Sequence, residues 1–219
     1  MSLQRHFLVS WNASQPNPLP YSRGLFPQAK PPPTEDVPAL AQVVAGGPIY
    51  PMSNIMLSYF KIFTLAREKL YITNPYFIPS DSILEALKQA ALSGVDVRLM
   101  VPKKSDSAVV GLSANSYFQE LLEAGVRIFL YKKGFVHAKT VVSDGKLSIV
   151  GTANMDIRSF DLNFEMMSVI YSEGFARKME NMFIDDLKEC DEVDPIQWAK
   201  RGIGKKLVES IARLVSAFL

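Results

Sequence analysis

Between Ala39 and Glu189 the chain switches its hydrophobic period repeatedly between two residues and about 3.6. Ala41–Ala45 reads as a short strand closed by Gly46-Gly47-Pro48. Ser53–Arg67 reads as a helix with Ile55, Met56, Tyr59, Phe60, Phe63 and Ala66 turned inward. Lys69–Thr73 is a strand. The next helix is capped by Ser80 or Asp81, carries the stripe Ile83, Leu84, Leu87, Ala90 and Ala91, and ends at Gly94. Val95–Val101 is a strand, Ser107–Ala124 a helix stopped by Gly125, and Val126–Tyr131 a strand. Then two β-rich runs, Phe135–Ser143 and Lys146–Val150, flank Asp144-Gly145, a pair that favours a tight hairpin turn. Glu165–Tyr171 is a further strand, and Glu173–Glu189 a helix with Phe175, Met179, Met182, Phe183 and Leu187 on one stripe. Strands that alternate with helices and finish in a hairpin predict an α/β fold: one mixed β-sheet flanked by helices on both faces.

The flanks are different. Leu3–Trp11 spaces Leu3, Phe7, Leu8 and Trp11 along one helical face. From Pro16 to Pro38 the prolines at 16, 18, 20, 27, 31, 32, 33 and 38 forbid regular helix and predict an extended connector. Three parts follow: residues 1–38 as helix and connector, 39–195 as the compact domain, and 196–219 as a tail. In the tail, Ile203, Leu207, Val208, Ile211, Leu214, Val215 and Phe218 keep a helical period beside Lys200, Arg201, Lys205, Lys206 and Arg213. An apolar stripe with a basic face fits a helix lying on a membrane surface, and equally a terminal helix docked on its own domain or on a partner. The start lacks the basic and apolar regions of a signal peptide. The uncharged stretch from Val37 to Phe60 is broken by prolines, glycines and polar residues, and reads as strand, turn and helix start.

In 219 residues, 48% hydrophobic and 21% charged, there is material for a real core, which excludes disordered, collagenous and coiled-coil classes. A formal net charge of +2 does not announce a nucleic-acid binder. The single cysteine, Cys190, excludes an intrachain disulfide and reads as an inert thiol near a helix end.

Chemistry concentrates between residues 136 and 165. His137 and Lys139 are two apart in a β-rich run, so their side chains are expected on one face. Gly151-Thr152 and Asn154 follow, offering a backbone amide, a hydroxyl and a carboxamide. An ammonium and neutral donors suit the equatorial oxygens of a phosphoryl group, and an imidazole can attack phosphorus or shuttle a proton. His6 is the other histidine of two. No second His and no paired acidic cage accompany His137, so the expectation is phosphoryl transfer with no metal and no cofactor.

The spacing His-x-Lys-x4-Asp, then Gly-Thr-x-Asn, resembles the signature of the phospholipase D superfamily. Phe135-Val136-His137-Ala138-Lys139, Asp144-Gly145, the run Gly151 to Phe160 and Leu162-Asn163-Phe164-Glu165 resemble the second motif of bacterial cardiolipin synthases. Thr73 to Pro79 and Leu3 to Asn12 are similar to that family's C-terminal half. The resemblance implies a phospholipase D-like half that joins phosphatidylglycerol molecules into cardiolipin without a metal. It implies His137, Lys139 and Asp144 as catalytic motif residues, with His137 as general acid/base and Asp144 orienting its neighbours. Thr152, Asn154 and Gly151 would bind the phosphodiester, and Glu165 would brace a histidine ring. Implied partners are anionic phospholipid, a missing N-terminal half or a second copy completing the site, and a membrane surface met through residues 203–219. The implied location is the bacterial cytoplasmic membrane, peripheral in this form. The first motif and the N-terminal membrane segments typical of the family are absent from this sequence, which suggests the C-terminal half of a two-motif protein. Two other readings are a homodimeric phosphodiesterase acting on nucleic acid, which the modest charge disfavours, and an inactive lipid-binding half.

Overall fold

A computed structural model describes residues 2–26 and 39–216. Among them, eight strands form one sheet: β1 (Leu40–Gly46), β2 (Lys69–Thr73), β3 (Asp96–Pro102), β4 (Arg127–Tyr131), β5 (Thr140–Ser143), β6 (Leu147–Gly151), β7 (Glu165–Tyr171) and β8 (Cys190–Glu192). Their order is β1-β7-β6-β5-β2-β3-β4-β8. The central β2, β3 and β4 are parallel, and every other neighbouring pair is antiparallel.

Parallel strands need crossovers, and helices α3 (Asp81–Leu92) and α4 (Ala108–Glu123) supply them. With α2 (Asn54–Leu65) they cover one face of the sheet. There Tyr59, Phe63, Ile83, Leu87, Phe118 and Leu121 meet Leu70, Ile72, Val97, Leu99 and Val101 in the main core. The opposite face takes α5 (Glu173–Leu187), whose Phe183 stacks on Tyr71 at 5.0 Å and packs on Met100. The mixed sheet with helices on both faces is therefore what the alternating pattern predicted. At the N-terminus α1 (Ser2–Ser14) buries Leu8 and His6 and leaves Leu3, Phe7 and Trp11 exposed. The chain then folds back, as Asn12 Oδ1 accepts from Leu19 N at 2.7 Å and Asn12 Nδ2 donates to Leu19 O at 3.0 Å. Most of the expected connector, residues 27–38, lies outside the described residues.

One expectation changes. The run Phe135–Ser143 is not strand throughout, because β5 begins only at Thr140. Thr140 pairs with Thr73, the last residue of β2, and Asn74-Pro75 follow. Pro75 has no N–H to give, so the ladder ends there. On the other side one bond continues, from Gly151 N to Lys139 O at 3.1 Å. Cys190 lies near a helix end as read, three residues past Leu187 of α5, and opens the edge strand β8 with its thiol donating to Asp186 O at 3.3 Å. Finally α6 (Pro195–Ala199) leads to α7 (Ile203–Ser216), which docks on α4 while its apolar stripe stays exposed. Among the described residues no helix is long and apolar enough to cross a membrane.

Candidate active site

The ends of β2, β3 and β6 and the starts of β5 and β7 meet at one edge of the sheet. Lys139 lies just before β5, Gly151 ends β6 with Thr152 beyond it, and Glu165 opens β7. The close approach of β6 and β7 explains Gly151: a Cβ there would lie 2.7 Å from Met167 Cβ and 3.0 Å from the Met166 carbonyl oxygen. Without a side chain at 151 the two strands bring residues 152 and 165 together.

Lys139 is 7% exposed, an uncommon state for an ammonium. Its Nζ donates to the His137 carbonyl at 3.0 Å. Burial pushes its pKa down, against the pull of the Glu165 and Asp156 carboxylates. The His137 ring is exposed, stacked on Phe135 at 5.7 Å and edge-on to Tyr76 at 6.3 Å. So the imidazole stands at the surface while the ammonium lies beneath its backbone. The alternation that would set both side chains on one strand face does not apply here, because residues 135–139 precede β5; the contact between the two residues is the bond from Lys139 Nζ to the His137 carbonyl.

Thr152 Oγ1 donates to Glu165 Oε2 and accepts from Met166 N at 3.0 Å. The other Glu165 oxygen accepts from Asn163 Nδ2 at 3.4 Å. These bonds hold Glu165 beside Lys139 and Thr152; no hydrogen bond among the described residues joins it to the His137 ring. Asn154 is half-buried, and its Oδ1 lies out of solvent with no partner. A flip of the carboxamide would turn a donor N–H to the same place. Asn154 lines a cleft of about 280 Å³ with Tyr76, Asp106, Asp156, Ile157 and Arg158.

Asp144 does not join this cluster. It forms the β5–β6 turn at the other end of the sheet, five residues beyond Lys139 and so roughly 16 Å away at strand rise. Its Oδ1 accepts from the backbone N–H groups of Glu68 at 2.8 Å and Lys69 at 2.9 Å, and Arg67 N lies 3.1 Å from Oδ2. It clamps the start of β2 to the hairpin and stays far from the reacting groups.

Residues to which the sequence reading gave no role in the site complete it. Tyr76 Oη donates to Asp106 Oδ2 at 2.6 Å; burial, with that carboxylate, pushes the phenol up to about 12. Fully buried Asn74 accepts through Oδ1 from Tyr76 N at 3.3 Å and Met155 N at 3.2 Å, fastening the loop after β2 to the loop after β6. Asp156 Oδ1 caps the five-residue π-turn Arg158–Leu162 by accepting from Ser159 N at 2.7 Å. Asn74, Tyr76 and Asp156 lie in the runs that carry the family resemblance, immediately after predicted strands; Asp106 had no signal beyond such a position.

Residues 59–187 match the family described as "Cardiolipin synthase, PLD-like domain". This chain belongs to that family. Cardiolipin synthase of Clostridium perfringens strain 13 is 50% identical over 179 residues, covering 82% of this chain and 38% of its own length. That of Geobacillus thermodenitrificans is 42% identical over 220 residues, covering 100% of this chain and 43% of its own. The chain thus spans less than half the length of these curated relatives. In fold it resembles Nuc of Salmonella typhimurium, a phospholipase D family member, with a TM-score of 0.61, 17% identity and coverage of 70% of this chain and 99% of Nuc. It also resembles the phosphatidylserine synthase of Haemophilus influenzae, with a TM-score of 0.64 and 16% identity, covering 82% of this chain and 48% of that one.

Proposed function

We propose that this chain contributes one half of a shared site for phosphatidyl transfer, making cardiolipin and glycerol from two phosphatidylglycerol molecules. The observation that carries the reading is the buried ammonium of Lys139 bonded to the backbone of a surface histidine and drawn by the carboxylates of Glu165 and Asp156, with Asn154, whose Oδ1 has no partner, on the loop that follows β6. A buried cation is costly unless it meets an anion, and a phosphodiester is the anion that these donors suit.

In this reading a histidine of the complementary half attacks phosphorus. The P–N bond forms as the P–O bond to glycerol breaks, and His137 gives the leaving alkoxide its proton. A hydroxyl of the second phosphatidylglycerol then returns a proton to His137 and attacks phosphorus, and the P–N bond breaks. Lys139 and the Asn154 carboxamide, turned to present its N–H, hold the phosphodiester oxygens and take up their growing charge; the donors expected at Gly151 and Thr152 are already used, by the Lys139 carbonyl and by Glu165. Glu165 fixes the Thr152 hydroxyl. The second histidine is assigned to the complementary half, because His6, on α1, is buried beside Phe164, at 6.5 Å between rings, whereas His137 lies against Tyr76 and Phe135. No step in this scheme calls on a metal, so activity is expected to persist in chelator.

The test mixes the full chain with a family N-terminal half and phosphatidylglycerol vesicles and measures cardiolipin and glycerol. H137A should lower turnover by about 10²–10⁴-fold. Equal turnover with H137A would sink the assignment. Turnover by the chain alone, second order in protein, would instead favour a homodimer.

A further inference from the structure

Helix α7 is attached to the domain by its less apolar side. Ser113 Oγ, fully buried on α4, donates to the Ala212 carbonyl at 2.8 Å. Arg213 meets Glu120 at 2.9 Å and lies over the Tyr117 ring at 3.9 Å. Glu209 is 5% exposed and pairs with Arg201 at 2.6 Å, and that guanidinium caps the Trp198 ring at 3.4 Å. Residues 209, 212 and 213 fall on one side of the helical wheel. Ile203, Leu207, Val208, Ile211, Leu214 and Val215 fall on the other, and each is about half exposed or more, up to 86% at Ile203. These contacts fix the rotation of the helix, so the stripe cannot turn inward without breaking a buried ion pair.

Large apolar residues contiguous along three turns are rare on a surface that stays in water. Their surroundings say what covers them. Lys200 and Lys205 are exposed, and Lys206 reaches back to the Ala199 carbonyl at 2.8 Å. The one acid in this stretch, Glu209, is buried and neutralised by Arg201. Basic residues thus border the stripe, and no carboxylate of the helix faces outward with it. The fourteen residues of α7 extend about 21 Å at 1.5 Å per residue, less than the hydrocarbon thickness of a bilayer. We infer that α7 lies in the plane of an anionic bilayer interface, with its apolar stripe among the acyl chains and Lys200 and Lys205 among the headgroups. It thereby holds this domain against the membrane. The inference does not depend on the role given to His137.

The experiment sediments the full chain with vesicles of phosphatidylcholine and phosphatidylglycerol in equal parts, and with phosphatidylcholine alone. The wild-type chain should pellet with the mixed vesicles and more weakly with the neutral ones. L207E/L214E should weaken partition on both by about tenfold or more, and K200E/K205E by about tenfold on mixed vesicles only. Both pairs are surface residues, and unchanged thermal melts will show that the variants fold. H137A should bind like the wild type, which separates this inference from the catalytic reading. It is overturned if the wild-type chain stays in the supernatant, or if L207E/L214E pellets equally well. A dimer in gel filtration that L207E/L214E splits, without vesicle binding, would give the stripe to a second copy instead.

Discussion

Two motif residues illustrate how one signature divides between chemistry and architecture. Asp144 sits in the left-handed region at φ 54° and gathers backbone N–H groups from Arg67 to Lys69. Bonds to a carboxylate contribute more than neutral ones, so Asp144→Ala is expected to cost about 2 kcal/mol and lower the melting temperature by roughly 5 °C. Asp144→Asn, which keeps an acceptor and tolerates the turn, should lose less. In both, turnover per folded molecule at low temperature should stay near wild type; a thousandfold loss would return Asp144 to the reacting groups. Lys139 behaves in the opposite sense. Its folded pKa is lowered, so between that value and its ordinary one the unfolded chain holds more protons, and stability rises with pH across this window. Lys139→Met should therefore match or exceed the wild type in melting temperature at neutral pH. That advantage should shrink as the solution becomes alkaline, while turnover falls by about 10²–10³-fold. A lower melting point at neutral pH would show that the ammonium stabilises the fold. The motif spacing made His137, Lys139, Thr152 and Asn154 legible as neighbours in sequence. That Tyr76, Asn74 and Asp106 join them was not legible, although Thr73–Pro79 carried part of the resemblance, because the sheet, rather than the local chain, carries them to the same edge.

Hydrophobic period located nearly every element but could not say what each face meets. β2 and β7 keep the bounds read from sequence because both are paired along their whole length. The strand read into Phe135–Lys139 lacks a partner once Pro75 follows β2, a limit set by another segment of chain. β8 has three residues, Cys-Asp-Glu, too short and too polar for any alternation to show. In α7 the stripe was visible, whereas its outward direction depends on Ser113, Tyr117 and Glu120 of α4, about a hundred residues earlier. The Arg201–Glu209 pair is the fastener, and removing one partner of a buried pair leaves an uncompensated charge, typically at 3–5 kcal/mol. Glu209→Ala is accordingly expected to loosen α7 specifically. Hydrogen exchange of amides 203–216 should accelerate by at least tenfold while those of β2 and β3 keep their protection. Uniform acceleration across the sheet would mean that α7 is integral to the core.

At the scale of the molecule, the reacting edge is open. The turn after β1 and the loop after β6 are tied by the hydroxyl of Ser53, which donates to Asp161, and by Phe164 against Gly47. These segments bear Ile49, Met52, Ile157 and Leu162, all exposed, and Phe135, also exposed, stacks beside His137. A site that needs a second histidine needs a surface on which its carrier can sit, and exposed apolar residues on these two segments have the composition of an interface centre. Met52 and Leu162 are 60% and 62% exposed, so charging them leaves the core untouched. M52D/L162D should keep the wild-type melting temperature and, in the mixed assay, require about tenfold more N-terminal half for half-maximal cardiolipin synthesis. At saturating partner its turnover should return to the wild-type value, because nothing that touches the phosphodiester has changed. A loss of turnover that excess partner does not restore would place these residues in the chemistry. An unchanged titration would mean that the complementary half docks elsewhere and reaches His137 from another side.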